Sequence, residues 1–305
     1  MNRRLALRLL RLRLWLAERF RPDETLVTYF WAGIVGVVAG FSGRAFLLAC
    51  DGLQFLFTGN HRNLSTAAEY LPDWRRVLVP ALGGLLAGLV LWWGQRATRN
   101  QRATEYMEAV ALGDGVIRTA PALTRIGSSI FSISSGGSIG REGPMAQLAS
   151  LLASRLGRLA HFPRPRLRLM VACGAAASMA SAYNAPIGGA LFVAEVVLGS
   201  IAMASFGPLL FSSFAATVVV RALTGGRALF EVPHFQLVSY PELGLYLALG
   251  LLCGASVPLF LGLLDFAKAL FARIPLPLPL LLMLGGVIVG IISIWHPIVW
   301  GNGYG

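Results

Sequence analysis

Uncharged, largely apolar runs recur along this chain, and five are the clearest: Leu26–Gly43, Val77–Trp93, Ile201–Val220, Leu243–Leu264 and Leu276–Trp295. Each is long enough to cross a hydrocarbon core, which takes about 17 apolar residues or more in helical form. Lipid offers no water to satisfy backbone N–H and C=O groups, so a spanning segment must be a helix or part of a closed barrel. Barrel strands alternate apolar and polar residues, and none of the five stretches does so. The chain is therefore expected to be an all-α polytopic membrane protein. Its composition agrees. Of 305 residues, 56% are hydrophobic and 13% charged, too little polar surface for a soluble domain.

The net charge is +12. On a soluble protein that would point to nucleic acid. Here Arg3, Arg4, Arg8, Arg11 and Arg13 interleave with leucines in RRLALRLLRLRLWLAERFR, Arg3–Arg21. Residues 1–24 read as a basic amphipathic helix on an anionic membrane face, with lipid and not nucleic acid as partner. The alternative, a solvated tail, leaves the leucines unburied. The apolar stretch is too broken for a secretory signal, and no small-residue cleavage site follows. Positive charge ahead of the first span places the N-terminus in the cytoplasm. Arg155–Arg168, with five arginines and no acid, marks a second cytoplasmic stretch. Thr58–Arg76 reads as an external or interfacial loop and Gly94–Arg118 as a polar one. Cys50, Cys173 and Cys253 are far apart, and His61, His161, His234 and His296 do not pair at ligand spacing. No metal, disulfide or cofactor is implied. Nor do nucleophile and base residues gather as an enzyme would need.

Between Ala120 and Ala222 the apolar pieces are short and rich in Gly, Ala and Ser. Small residues let helices approach closely in lipid, and that accounts for most of them. Two features go further. Pro144 and Pro186 follow Gly143 and Asn184-Ala185 where helices can start, and helices that start at membrane depth are tolerated only around protein or an aqueous cavity. The only acids between Gly115 and Leu229 are Glu142 and Glu195. An ionisable group within a membrane is costly and is a functional candidate, with a structural ion pair as the alternative, for Glu142 with Arg141. Glu142 lies in SGGSIGREGP, Ser135–Pro144. Glycines admit an ion close to the backbone, and a helix start carries roughly half a positive charge. Gly140, Arg141, Gly143, Pro144, Met145 and Ala146 thus form a candidate anion site that needs no lysine. The Glu142 carboxylate mimics the anion, and a proton releases it. A nucleotide site lacks its GK[ST] signature and its strand–turn–helix context.

GREGP at Gly140–Pro144, CGAAASMASAYNAPIGGALFVAE at Cys173–Glu195 and WGNGYG at Trp300–Gly305 resemble the CLC family of chloride channels and chloride/proton antiporters. EYMEAVALGDG at Glu105–Gly115 and AEVVLGSIAMASFGP at Ala194–Pro208 are most similar to its bacterial ClcB-type subgroup. The resemblance covers roughly residues 30–305. It implies a homodimer with one anion pathway per subunit, built from two inverted repeats of tilted and broken helices. Residues 25–275 would form the first repeat and 276–305 the first helix of a second. Chloride is then the transported substrate, Glu142 the gate, and the amides of Gly143 to Ala146 face the ion. The helices after NAP, about Ile187–Gly199 and Ile201–Ala222, match the family's dimer contacts.

Three positions depart from the family pattern. Its Gly-Ser-Gly-Ile-Pro motif falls on QRATE, Gln101–Glu105, so the serine that binds the central chloride becomes Arg102, and Thr104 is the nearest hydroxyl. The antiporters' inner proton glutamate falls on Val196. Glu195, a possible proton route, is adjacent but about 100° away around a helix. The family's second repeat, with its anion-binding tyrosine, does not follow Gly305. The resemblance therefore leaves three readings open: a coupled antiporter, a passive proton-gated channel, and a transport-inactive fragment or assembly subunit. The 305-residue chain alone is expected to conduct poorly.

Overall fold

A computed structural model describes residues 23–60, 64–99, 101, 103–225 and 239–301. The basic segment Arg3–Arg21, Arg102, His61, His234 and the last four residues of WGNGYG lie outside the described residues. Those described form helices and no strand. In chain order the helices are α1 (Glu24–Thr58), α2 (Leu64–Tyr70), α3 (Asp73–Ala97), α4 (Tyr106–Ala111), α5 (Thr119–Ser134) and α6 (Glu142–Leu159). They continue with α7 (Arg164–Tyr183), α8 (Pro186–Val196), α9 (Met203–Thr224), α10 (Glu242–Ala272) and α11 (Leu278–Trp295), and a 3-10 turn, Pro297–Val299, follows.

The five charge-free stretches lie in α1, α3, α9, α10 and α11, each long and apolar enough to cross a membrane. Two boundaries differ from expectation. Helix α1 continues past Gly43 through Arg44 and Asp51 to Thr58, because isolated charges do not break a helix that meets no proline. The supposed loop Thr58–Arg76 contains α2, with Ser65, Ala67 and Ala68 buried, and the first turn of α3.

The chain divides into two compact units, each discontinuous in sequence. The first takes α1 up to Arg44, the segment Thr104–Arg118, and the chain from Met145 through α9. Its centre is α7, where Met170 to Ala180 are all buried. Ala39, Ala149, Ala177 and Ala216 meet there, so α1, α6, α7 and α9 touch on methyl groups. Close approach of this kind drives helix association where lipid removes the hydrophobic incentive.

The second unit takes the rest of α1, α2, α3, α5, the glycine-rich loop, α10 and α11. Helices α3 and α11 make its most extensive packing. Along α10, by contrast, no residue is buried. Arg76 ties helix ends together in this unit. Its Nε donates to the Leu71 carbonyl at 2.9 Å, Nη2 to that of Glu69 at 2.9 Å, and Nη1 to that of Ile294 at 3.3 Å. These carbonyls lie at and just beyond the end of α2 and in the last turn of α11, where backbone acceptors lack helical partners. The Arg76 side chain is only 14% exposed. Hydrogen bonds from a charged donor contribute about 1.5–3 kcal/mol. Arg76→Met, which keeps the stem and loses the donors, is expected to destabilise the protein by about 3 kcal/mol. Thermal unfolding in detergent, followed by size exclusion, measures it.

Candidate functional site

The glycine-rich stretch begins where α5 stops. The Gly137 N–H donates to the Ser132 carbonyl at 2.9 Å and that of Gly136 to Ile133 at 3.3 Å. This is a Schellman closure, which needs a left-handed residue after the helix. Gly136 supplies it, with φ +98°. A Cβ there would also sit 2.6 Å from Cδ2 of Trp300. Trp300 is buried against Ala68, Leu71 and Val79, and the Gly301 N–H donates back to the Gly136 carbonyl at 3.3 Å. The loop is thus held from below by the tryptophan of the WGNGYG motif. The same loop lines a cavity of about 380 Å³, whose opposite wall includes Leu281, Gly285 and Val289. Those side chains offer an anion no donor.

The chain then turns outward. Ser138, Ile139 and Gly140 are exposed, Arg141 is half-buried, and α6 opens on Glu142 itself. Pro144 is the third helical residue and has no N–H to leave unpaired. In a helix with this start, Met145 is the first residue whose N–H reaches an intrahelical carbonyl, and Ala146 the next. Both are buried. The amides of Met145 and Ala146 therefore belong to the helical ladder. Of the expected anion-facing run, Gly143, together with Glu142, has an N–H without an acceptor inside the helix. Gly143 is exposed, and a Cβ built on it meets nothing within 4 Å.

Glu142 is half-buried. Its carboxylate folds back toward the preceding loop, since a Cβ on Gly140 would lie 2.6 Å from Oε2. Gly140 leaves room for the carboxylate to rest there. A negative group in the first turn of a helix is favoured by the helix dipole, so the carboxylate sits at the electropositive end of α6.

Further along, α6 enters the first unit. The Met145 side chain packs beside Gly43 and Ser181 there. Thr104, half-buried, lies just before α4. Its carbonyl accepts a hydrogen bond from Gln147 Nε2 at 2.9 Å, and Gln147 Oε1 accepts the Tyr106 N–H at 2.9 Å. Two turns on, Ser154 Oγ donates to the Gly115 carbonyl at 2.7 Å and accepts the Ile117 N–H at 3.1 Å. From α7, Arg168 donates to the carbonyls of Val110 at 2.6 Å and Ala111 at 3.2 Å. The polar stretch Gly94–Arg118 is therefore no simple loop. Its latter half is pinned, with Ala109, Val110 and Ile117 buried. Sequence reasoning passed over Gln147 and Ser154. The available signal was their spacing with Ser150, three polar residues at i, i+3 and i+7 on one face of an alanine- and leucine-rich helix.

Helix α8 opens on Pro186, as its sequence predicts. Asn184, at φ 54°, closes α7, and its Oδ1 accepts Arg221 Nε at 2.8 Å. Glu195 is exposed in the last turn of α8, beside exposed Val196. Among the described residues no three His, Cys, Asp or Glu side chains gather as a metal site.

The helix that starts on this carboxylate, behind a glycine loop, stands in a chain of long apolar helices, five of them long enough to cross a membrane. The sequence model of the voltage-gated chloride channel family matches residues 83–305. This chain belongs to that family, and it is a multi-pass membrane protein. It is 49% identical over 277 residues to a chloride channel protein described as ClcB-like from Ralstonia nicotianae, covering 90% of this chain and 65% of the relative. It is 40% identical over 277 residues to the voltage-gated ClC-type chloride channel ClcB of Citrobacter koseri, covering 90% and 66%. The chain thus spans just under two thirds of the length of these relatives. Among solved structures it resembles a slow cyanobacterial Cl⁻/H⁺ antiporter, with TM-score 0.74 and 24% identity over 93% of this chain and 67% of that one. It also resembles a CLC-type fluoride/proton antiporter, with TM-score 0.69 and 20% identity over 89% and 65%. These two likenesses establish the fold.

Proposed function

We propose that this chain forms part of a transporter for chloride or similar small anions, with Glu142 as its protonatable gate. One observation carries the reading: the Glu142 carboxylate lies at the start of α6, folded over Gly140, where an incoming anion would be held. The N–H groups of Glu142 and Gly143 supply partial positive charge. Partial charges bind an anion weakly enough to release it, which conduction requires. An ionised Glu142 competes for that position. Protonated, it loses its attraction to the helix start and yields to the anion. The relatives' descriptions as chloride channels favour chloride as the substrate.

Whether protons travel with the anion depends on the inner end of the route. Val196 stands where the antiporters carry a glutamate, and it is 52% exposed. That favours a passive proton-gated channel over a strictly coupled antiporter. Glu195 is the one neighbouring group able to relay a proton in the coupled alternative. The working protein is a homodimer in the bacterial inner membrane with a cytoplasmic N-terminus. Exposed Ile187, Leu191, Phe192, Phe211, Phe214 and Val218 on α8 and α9 supply an apolar face for the second copy, which large exposed apolar patches typically mark.

Paired chloride and pH electrodes on proteoliposomes test the reading. The complete product of the gene is expected to release chloride well above the empty-vesicle leak. Chloride release with opposed proton uptake identifies an antiporter, and release without proton movement identifies a channel. The 305-residue chain measured alongside decides whether this part suffices. A complete product that moves no anion overturns the proposal.

A further inference from the structure

Arginines gather at one end of the first unit. A tight turn joins α6 to α7, in which the Phe162 N–H donates to the Gly157 carbonyl at 3.0 Å and the His161 N–H to that of Arg158 at 3.1 Å. The turn brings Arg158, in the last turn of α6, to the same end as Arg164 and Arg166, in the first turn of α7. Arg158 and Arg164 are exposed, and among the described residues neither has an acidic partner. Arg166 Nη2 reaches Glu24 Oε2 at 3.6 Å, but the Glu24 side chain is 94% exposed, and such a pair contributes little. Two of these arginines sit where a helix dipole disfavours them, since a helix start favours negative charge, and Pro163 gives α7 no side-chain cap. The sequence ahead of α1 adds more arginine than acid, so it does not supply the missing negative charge.

An apolar groove begins beside this cluster. Glu24 sets the start of α1 against Arg166, and about two turns deeper Trp31 meets Phe162 edge to face, with ring centroids 5.2 Å apart. Along α1, Leu26, Tyr29, Phe30, Ile34 and Val37 form with Phe211 of α9 a groove of about 560 Å³ that ends at Val38. Gly33 makes room for it, because a Cβ there would lie 2.9 Å from Cε1 of Phe211. A helix rises about 18 Å from Leu26 to Val38, a little more than half of a hydrocarbon core about 30 Å thick. The groove therefore has the length of one leaflet, and the arginines stand at the level of its headgroups. Every part of it belongs to the first unit.

We propose that this end of the first unit binds an anionic phospholipid, with its phosphate among Arg158, Arg164 and Arg166 and one acyl chain along the groove between α1 and α9. The planar guanidinium fork matches phosphate oxygens, and basic residues beside a membrane span attract acidic lipids. The phosphate also offsets the unfavourable charge at the start of α7. The inference stands apart from the transport reading, since neither Glu142 nor the transported anion takes part in it. Phe211 also belongs to the apolar face assigned above to a second copy, so lipid and second copy are rival occupants there.

The test is thermal unfolding of the delipidated complete gene product in detergent, titrated with phosphatidylglycerol, with phosphatidylcholine of the same chains, or with inorganic phosphate. A ligand that binds the folded state raises the unfolding temperature in a concentration-dependent way. Phosphatidylglycerol is expected to do so and to saturate, and the other two to leave it unchanged. Arg158→Gln combined with Arg164→Gln is expected to raise the half-saturating lipid concentration about tenfold or more, with little change in the lipid-free protein, since both side chains are exposed. Lys268→Gln combined with Arg273→Gln removes the same charge at the end of α10 and is expected to leave the titration unchanged. Val37→Trp fills the groove and is expected to raise the half-saturating concentration about threefold or more, because the chain loses its apolar contact. Should it fail to fold, Val37→Phe takes its place. An equal shift with phosphatidylcholine overturns the inference, and an equal shift with inorganic phosphate shows a free-anion site instead. An unaltered titration in the Arg158 and Arg164 variant, or an equal loss in the Lys268 and Arg273 control, overturns it as well. If the groove-filling variant leaves lipid binding intact and breaks a dimer on size exclusion, a second copy covers the groove and the proposed lipid does not.

Discussion

Replacing Glu142 with glutamine is expected to abolish the pH dependence of anion flux and any proton movement coupled to it. Well above its pKa, a carboxyl group's protonated fraction rises about tenfold for each unit that pH falls. If the ionised carboxylate blocks the start of α6 and the protonated one does not, parent flux rises as the facing solution is acidified. Glutamine has the size and shape of the protonated acid but titrates nothing. Its flux is expected to be flat with pH, at a level set by the anion alone. The first turn of α6 loses a favourable charge, worth about 0.3–1 kcal/mol at an exposed helix start, which is too little to unfold a helix whose next residues, Met145 to Gln147, are buried. Chloride efflux recorded across a range of external pH, for the parent and Glu142→Gln, checks this. A steep pH dependence surviving in Glu142→Gln would place the gate on another residue.

The helix that carries Glu142 was only partly legible in the sequence. The long charge-free stretches were legible because hydrocarbon imposes one solution on them. Thus α3, α9, α10 and α11 cover their expected runs to within a few residues, apart from longer ends on α3 and α10. The glycine-rich loop was legible because Gly-Arg-Glu-Gly-Pro is an unusual string in an apolar chain. Its support was not. Nothing in the order of residues places Trp300 beneath Gly136, more than 160 positions away, since that contact depends on how the loop and the chain after α11 meet. Gln147 and Ser154 were hidden for a related reason. A polar residue among alanines and leucines looks alike whether it faces lipid, a neighbour's backbone or an ion, and only the fold says which carbonyl it finds. The first residue of α6 was also ambiguous. Proline at 144 suits either the first or a later position of the opening turn, and that choice decides which amides remain outward.

Two adjacent glycines of α11 are expected to respond in opposite directions to the same substitution. Helices α3 and α11 run antiparallel, and each carries a small-residue stripe, Gly84 and Gly88 on one, Gly286 and Gly290 on the other. The stripes face each other's backbone. A Cβ on Gly286 would land on the Pro80 carbonyl, and one on Gly290 would lie 2.6 Å from the Val77 Cα. Backbone on the opposing helix cannot swing aside as a flexible side chain can, so the helices must separate. Close approach is what holds such a pair in lipid, and forcing extra atoms into a packed contact costs about 1–3 kcal/mol. Gly286→Ala is expected to fall at the upper end of that range. Gly285, one residue earlier, has nothing within 4 Å of a built Cβ. Gly285→Ala therefore meets no clash, and alanine is favoured over glycine inside a helix by about 1 kcal/mol. It is expected to raise the unfolding temperature slightly while Gly286→Ala lowers it by several degrees. The measurement is thermal unfolding of the three proteins in one detergent, read by the monodisperse fraction remaining. Equal behaviour of the two substitutions would show that α3 and α11 do not meet through these glycines, and the second unit would lose its principal contact.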